Sequence, residues 1–393
     1  MKISNLINPL LLFVIILNVN IASAQQDSPP VTQLKELYAI DKNFRKTIRS
    51  AFENLHDLPD GSSNPWRGKT MTDLYNFLND WFYFLPNAHN GLDKIIEFSM
   101  LYYRNPEGLK FVLEEPGLSW TKYFVEERGK YMDSYASARK VEEWLSNESI
   151  NNDEYVLPIG GFKSFNDFFT RELKPGARPV EAVTDNSVLV SPADGIINMI
   201  NNDLRSDSQI PIKGRKTLNL TKLLDNSEYA NRFIGGTVLA VFLLPHNYHH
   251  YHSPVTGTLI ESKDLVGNHL FGMSDIPDLI NNGNPGYNKD LSVLENFRHG
   301  YFIIKTQEFG YVGVVPVGLQ TIGSVVFEEK FKNIKNGKEK KIYKGEKLGH
   351  FAYGGSTVLL LFEKNRFNAI GVQQGQKIGR LNKLKSIQLS IDQ

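Results

Sequence analysis

Apolar residues follow helical spacing in the first part of the chain. The clearest example is the segment 93–103, where the apolar positions recur at steps of three and four residues: Ile95, Phe98, Leu101 and Tyr102. Residues at this spacing lie on one face of a helix, which can be buried. Similar spacing, interrupted by proline turns, predicts a helical domain over residues 34–150.

The pattern changes near residue 156. Short runs of β-branched and aromatic residues then alternate with glycine and proline turns, as in strands. The runs that predict strands are 188–190, 238–244, 301–304, 311–317 and 358–362. Two further segments, 166–173 and 218–224, have the pattern of short helices. The predicted fold class is α+β, with the helical domain followed by a β-rich domain over 156–393.

The first residues have the pattern of a secretory signal peptide. Lys2 precedes an apolar run at 10–17, and the small residues Ala22, Ser23 and Ala24 follow it. We expect cleavage before Gln25, with a polar linker at 25–33, and export to the periplasm or medium. The alternative is an uncleaved anchor, for which the apolar run is short compared with the roughly 20 residues of a spanning helix.

Composition excludes several functional classes. The 393 residues are 41% hydrophobic and 11% aromatic, which suits packed domains and excludes a disordered chain. The 44 Lys and Arg residues and 43 Asp and Glu residues leave a net charge of +1, so we expect no nucleic-acid partner. The absence of cysteine excludes disulfides, thiolate metal sites and cysteine nucleophiles.

Two segments are candidates for contact with a lipid surface. The aromatic run 81–84 is one, although an aromatic run inside a helical domain is more often core. The lysine-rich segment 330–347 is the other, and a solvated hairpin loop is its alternative interpretation.

Asp194 belongs to the first of three groups of residues with a possible chemical role. It lies between a proline turn and a glycine in the segment 191–195, directly after a predicted strand. Asp-Gly pairs are common in turns, so turn formation is the alternative role.

Four of the nine histidines lie within the segment 245–252, directly after another predicted strand. If this segment is extended, His250 and His252 share one face and His249 points to the other. Imidazole gains and loses protons near neutral pH, which suits a general acid or base. The run contains neither HExxH nor a carboxylate, so we predict no metal site.

A serine follows two glycines near the C-terminus, in the segment Gly354-Gly355-Ser356-Thr357, which directly precedes the predicted strand at 358–362. The glycines leave the Gly355 carbonyl open to close approach, so the Ser356 hydroxyl can attack its own preceding peptide bond. A tight turn is the simpler interpretation. The segment differs from the G-x-S-x-G nucleophile elbow, which disfavours an ordinary α/β-hydrolase.

These three groups, in this order, resemble the motifs of the phosphatidylserine decarboxylase family, pyruvoyl-dependent enzymes that make their cofactor by cutting themselves. The segments 165–175, 268–271 and 317–324 are also similar to that family, and the resemblance covers about 156–365. In the helical region, 90–93, 102–109 and 128–134 resemble the domain that accompanies a soluble branch, which includes fungal decarboxylases acting on tryptophan.

The resemblance implies a processing triad of Asp194, His252 and Ser356. Ser356 would attack the Gly355 carbonyl, with a backbone donor or the Thr357 hydroxyl stabilising the oxyanion. Elimination would leave a covalent pyruvoyl group at residue 356 as the cofactor. The products would be a β chain, 25–355, and an α chain, 356–393, which stay together as partners.

The resemblance also implies roles in substrate turnover. It assigns protonation of the product to His249 and makes Phe271 and His269 candidates for substrate binding, with core packing an equal interpretation for Phe271. The chain departs from the family pattern at Asn247 and His250, where the family usually has an acidic and a basic residue. We expect this difference to affect head-group recognition rather than self-processing.

The leading prediction is an exported decarboxylase that converts phosphatidylserine to phosphatidylethanolamine and carbon dioxide, with peripheral membrane contact. One alternative is a decarboxylase of a free aromatic amino acid such as tryptophan. Another is an uncleaved Ser-His-Asp hydrolase, which the same triad could support.

Overall fold

A computed structural model describes residues 26–87, 91–206, 218–281, 292–319, 324–352 and 354–376. The predicted signal peptide, 1–24, lies outside these ranges, as does much of the predicted α chain. None of the described helices is both long enough and apolar enough to cross a bilayer.

Helices dominate the first part of the chain, and two short helices lie between strands of the second part. They are α1 Pro29–Ile40, α2 Lys42–Glu53, α3 Met71–Tyr83, α4 Asp93–Ser99, α5 Pro106–Leu113, α6 Gly117–Met132, α7 Val141–Leu145, α8 Phe165–Phe169, α9 Leu220–Leu223 and α10 Ile276–Asn281. Asp41 caps the N-terminus of α2, where its carboxylate accepts the backbone N–H groups of Asn43 and Phe44. The helix predicted over 93–103 ends at Ser99, and i→i−3 turns continue its apolar face to Tyr102.

The strands occupy the second part. They are β1 Ile196–Asn202, β2 Thr237–Leu243, β3 His250–His252, β4 Gly257–Val266, β5 His299–Lys305, β6 Tyr311–Leu319, β7 Val325–Phe327, β8 Lys340–Ile342, β9 Lys347–Phe351 and β10 Gly355–Phe362. Four of the five predicted strands coincide with β2, β5, β6 and β10. The strand predicted at 188–190 is wrong: the Val190 N–H donates to the Pro254 carbonyl, but the segment joins no ladder of either described sheet.

Two antiparallel sheets form. The larger has seven strands in the order β1-β2-β10-β6-β5-β4-β8, and the smaller has three in the order β3-β9-β7. In the larger sheet β10 lies between β2 and β6, with Val358 opposite Val241 on one side and Pro316 on the other. The last described strand is therefore an interior strand of the larger sheet.

The larger sheet is covered on both faces. Val358 and Leu360 belong to an apolar cluster with the residues of the smaller sheet, whereas Leu359 and Leu361 share a cluster with the helices. This alternation follows from the two-residue period of a strand. The order of layers is helices, large sheet, small sheet, and the predicted α+β class is confirmed. The predicted domain boundary between 150 and 156 stays a prediction.

The aromatic run 81–84 is buried or half-buried, whereas residues 335–341 of the lysine-rich segment are exposed, as expected for a solvated loop. In the run 81–84, Trp81 and Phe82 are buried, and Trp81 packs against Phe98 and Phe124. In the segment 330–347, the Lys344 ammonium is buried and donates to two backbone carbonyls, while other lysines form ion pairs, Lys330 with Glu346 and Lys347 with Glu172.

Candidate functional site

Ser356 lies at the start of β10, inside the larger sheet. It is opposite Leu243 of β2 and Gly318 of β6, and it shares a strand face with Val358, toward the smaller sheet. The residue is fully buried, and its Oγ has no hydrogen-bond partner among the described residues. An unpaired buried hydroxyl costs roughly 1–3 kcal/mol, so it calls for a reason such as a catalytic role. Here the hydroxyl is next to the Gly355–Ser356 peptide bond, where it is available as a nucleophile.

Thr357 faces the other side of the sheet. Its hydroxyl donates to the Val241 carbonyl at 3.0 Å. The hydroxyl is therefore engaged on the face opposite Ser356. The sequence suggested either the Thr357 hydroxyl or a backbone N–H as the oxyanion donor. Because the Thr357 hydroxyl is engaged, the backbone N–H is the remaining candidate.

His252 is held by β3 at the edge of a cavity of about 440 Å³. Its Nδ1 is 2.8 Å from the Gly345 carbonyl, and its Nε2 is 3.3 Å from the Tyr248 hydroxyl. Because a carbonyl can only accept, the proton of the neutral ring lies on Nδ1, and Nε2 is the basic nitrogen. Burial lowers the pKa of His252, and the Gly345 carbonyl opposes this shift. The ring is therefore neutral near pH 7 and able to accept a proton.

Asp194 lines the same cavity as His252 and Tyr248. The backbone N–H of His252 donates to the Pro192 carbonyl, which fixes the segment 191–195 beside β3. The Asp194 carboxylate pairs with Arg178 at 3.1 Å. The structure thus brings Asp194 and His252 to one cavity, but the described hydrogen bonds of His252 go to Gly345 and Tyr248. The bonds that a complete triad needs, from His252 to Asp194 and to Ser356, are not among them, and the triad stays a prediction.

His249 is fully buried and stacks on Phe169, with ring centroids 3.8 Å apart. Burial, together with the positive charge of Arg171, places the pKa of His249 well below its usual value, although the backbone of Asn247 acts in the opposite direction. Its two ring nitrogens have no hydrogen-bond partner of normal geometry among the described residues. His249 is therefore a neutral ring whose nitrogens are unpaired.

The predicted alternation of the histidines is confirmed. Tyr248 stacks on His250 at 4.5 Å and lies 5.7 Å from His252, while His249 packs on Phe169 instead. The Nε2 of His250 is 2.9 Å from the Thr170 carbonyl, and burial lowers the pKa of this ring to about 3.

The departure from the family pattern at Asn247 has a local structural use. The side-chain oxygen of Asn247 accepts the Leu244 N–H at 2.6 Å and closes the turn after β2. Arg171 donates to the carbonyls of His246 and Asn247 from the other side. This turn fixes the start of the histidine segment.

The two predicted substrate-binding residues lie away from the described cavities. Phe271 is buried and packs against Trp81 and Phe98, with centroids 5.9 and 5.3 Å apart, so its contacts are those of a core residue. His269 is half-buried, and its carbonyl accepts the Arg298 N–H. These contacts agree with the core-packing interpretation of Phe271, and the substrate-binding roles of Phe271 and His269 stay predictions.

Tyr248, Arg178 and Gly345 belong to the site but were not predicted. Tyr248 could have been found from its position inside the histidine segment. Gly345 could not, because it is 93 residues from the histidine that it orients.

Comparisons with known proteins identify relatives for most of the second part of the chain. The family model described as phosphatidylserine decarboxylase matches residues 165–381, which include Asp194, His249, His252 and Ser356. The phosphatidylserine decarboxylase proenzyme of Clostridium novyi (strain NT) is 34% identical over 268 residues, which cover 67% of this chain and 81% of that protein. The proenzyme of Fusobacterium nucleatum is 32% identical over 245 residues, covering 62% and 75%. Phosphatidylserine decarboxylase proenzyme 2 of Oryza sativa subsp. japonica is 32% identical over 246 residues, covering 62% of this chain and 36% of that protein.

Proposed function

Because this chain belongs to the phosphatidylserine decarboxylase family of carboxy-lyases, we propose that it cuts itself between Gly355 and Ser356 and then converts phosphatidylserine to phosphatidylethanolamine and carbon dioxide. The relatives are named as proenzymes, which agrees with self-processing. The observation that carries the proposal is the buried, unpaired Ser356 hydroxyl directly after two glycines.

Self-processing needs a base, a nucleophile and a leaving group. Loss of the Oγ proton lets Ser356 attack the Gly355 carbonyl carbon; the peptide C–N bond breaks and an ester forms between Gly355 and Oγ. Loss of the Cα proton then breaks the Cβ–Oγ bond and releases Gly355 as a carboxylate. Water replaces the nitrogen of the remaining unsaturated residue, ammonia leaves, and a pyruvoyl group stays on the new N-terminus.

His252 is the proposed base. Its Nδ1 is fixed on the Gly345 carbonyl, and its neutral Nε2 can take a proton. Burial lowers the pKa of His252, whereas the charge of Asp194 acts to raise it. Asp194 therefore favours the imidazolium that proton transfer creates. The Ser356 side chain and β3 lie on the same face of the larger sheet. Proton transfer requires the Nε2 of His252 to leave the Tyr248 hydroxyl and to contact the Ser356 hydroxyl instead.

The pyruvoyl group would supply a carbonyl that accepts the electrons released as carbon dioxide leaves. The protein must also return a proton to the substrate carbon, which we assign to His249. Burial keeps its ring neutral, so it becomes an acid only when the negative charge of bound substrate raises its pKa. Its unpaired nitrogens leave it free to make that contact.

Contact with a bilayer is supported by the loop 156–161. Val156, Leu157 and Ile159 are exposed apolar residues within four positions, and Ile159 has no cover from the rest of the protein. The loop is anchored at its base, where Tyr155 bridges Leu173, and Leu173 lines the cavity that contains His252. An exposed apolar tip beside the cavity that contains His252 is suited to enter the interface of a membrane.

Export of the chain is also part of the proposal. Its support is the sequence of residues 1–24, with one lysine, an apolar run and a small-residue cleavage site. N-terminal sequencing of the mature protein should begin at Gln25.

Intact-mass measurement of the purified protein tests the proposal. We expect wild type to give one chain that ends at Gly355 and one blocked chain that starts at residue 356, and Ser356→Ala to remain a single chain without activity. Ser146→Ala, an exposed serine of the helical layer, serves as the matched control and should be cut normally.

Carbon dioxide release from phosphatidylserine and from tryptophan, measured on the same samples, identifies the substrate. Release from tryptophan alone would favour the amino-acid decarboxylase. An uncut wild type with hydrolytic activity would favour the Ser-His-Asp hydrolase.

A further inference from the structure

A second cavity, of about 710 Å³, lies where α6 and α8 approach the strands β7 and β9. Helix α6 and helix α8 form one wall, and Ser324, Val326, His350 and Ala352 form another. Ala352 is four residues before Ser356, and its N–H contacts the Ser324 carbonyl. The cavity therefore reaches the segment that leads into the cleavage site.

Arg298 lines this cavity from the end of the larger sheet. Residue 299 is opposite Val317, and the Arg298 carbonyl accepts the Gly318 N–H, so the register continues to place Arg298 opposite Gly318. Gly318 is in turn opposite Ser356. Arg298, Gly318 and Ser356 thus form one row across three strands, and side chains in one row face the same side of a sheet.

The middle member of this row is a glycine, so no side chain separates Arg298 from Ser356. Two strand spacings put their Cα atoms about 10 Å apart. Because side chains stand roughly perpendicular to a sheet, the missing side chain leaves a gap over Gly318, one strand spacing or about 5 Å from residue 356. A small anion held by the guanidinium would lie in that gap.

The positive charge of Arg298 has no ion-pair partner in the described part of the protein. Three acids line the cavity: Glu126 is exposed, and the other two have partners elsewhere. Asp133 accepts from the Asn166 amide, and Asp167 accepts from the Lys163 N–H. Arginine is the side chain best suited to bind a phosphate or carboxylate through two parallel hydrogen bonds.

We propose that Arg298 binds the phosphate of the phospholipid head group while the serine amine is at residue 356. This inference rests on the proposed function. The amine and phosphorus of phosphatidylserine are separated by three atoms, roughly 4–5 Å, which matches the gap. The scissile carboxylate is the poorer partner, because an ion pair would stabilise the ground state and slow loss of carbon dioxide. Arg298 would therefore favour a phosphodiester over a free amino acid.

The test uses the processed protein and the soluble head group glycerophosphoserine, which removes membrane binding from the measurement. Arg298→Gln should raise KM roughly 10- to 100-fold, as expected for loss of a charged hydrogen-bonded pair, with kcat changed less than about threefold. Arg298→Lys keeps the charge without the planar fork and should lie in between. Arg49→Gln removes an exposed arginine from α2, which contributes nothing to the described cavity wall, and should behave like wild type.

Self-cleavage and thermal unfolding of each variant separate recognition from folding. We expect Arg298→Gln to be cut and to unfold like wild type. An unchanged KM in a correctly cut variant would overturn the proposal, as would a fall in kcat with KM unchanged. Inorganic phosphate should inhibit wild type more strongly than the Gln variant, and equal inhibition would also count against it. If wild type fails to decarboxylate glycerophosphoserine and phosphatidylserine alike, it is the proposed function that fails.

Discussion

The three histidines His249, His250 and His252 have three different environments. His249 stacks on Phe169, His250 contacts the Thr170 carbonyl, and His252 is oriented by Gly345. The alternation of their directions was predictable from the two-residue period of a strand. Their partners were not, because those contacts join segments about 80 to 93 residues apart.

The pH dependence of self-cleavage tests the role of His252. Burial lowers the pKa of the ring below 6.5, and the basic form is present above that pKa. The cleavage rate should therefore rise with pH, reach half its maximum below pH 6.5 and stay constant from about pH 7 to 8.5. The measurement is the rate at which freshly translated precursor separates into two chains.

His252→Gln should leave the precursor intact, and His56→Gln, at an exposed histidine outside the site, should not change the profile. A midpoint above pH 6.5, or cleavage of His252→Gln at the normal rate, would contradict the assignment.

Strands with long apolar runs were predictable, because buried central strands need apolar residues on both faces. This holds for β2, β6 and β10, which lie side by side in the larger sheet. The run at 188–190 is also apolar, but only one of its described backbone bonds reaches a distant segment, from Val190 to Pro254; the other, from Val188 to Asp185, is a local turn. An apolar composition indicates that a segment is buried. Pairing in a β-ladder also requires an adjacent strand, which the local sequence does not specify.

The loop 156–161 carries a prediction at the scale of an element. The double variant Leu157→Asp and Ile159→Asp places two charges at its tip and should reduce sedimentation with phosphatidylserine vesicles roughly tenfold or more. Self-cleavage and turnover of soluble glycerophosphoserine should not change. Ile40→Asp, at an exposed apolar residue that ends α1, is the matched control. Vesicle binding equal to that of wild type would exclude this loop as the membrane contact.

At the scale of the whole molecule, the helices and the sheet share one apolar core. Phe271, which follows β4, packs against Trp81 of α3 and Phe98 of α4, and so joins the two layers. The sequence predicted the two regions separately, because helical spacing and strand runs are local signals. It could not show that they pack against one another through this residue.

Phe271→Ala should lower the free energy of unfolding by about 3–5 kcal/mol, the usual cost of a cavity left by a buried phenylalanine. Phe271→Leu should cost less, because it refills part of the volume. Denaturant unfolding in the Ser356→Ala background keeps the measurement to a single chain. A loss of substrate affinity without loss of stability would favour the ligand-site interpretation.

The position of β10 determines what a cut at its first residue does to the protein. The new N-terminus would lie in the interior of a sheet, between two strands of the other polypeptide that hold it by backbone hydrogen bonds along its length. The shorter chain would thus remain as a central strand of the enzyme's larger sheet. Its reactive N-terminus would be immobilised by the strands on both sides. The two chains of the mature protein should elute together in size-exclusion chromatography under native conditions. They should separate only when denaturant unfolds the larger sheet.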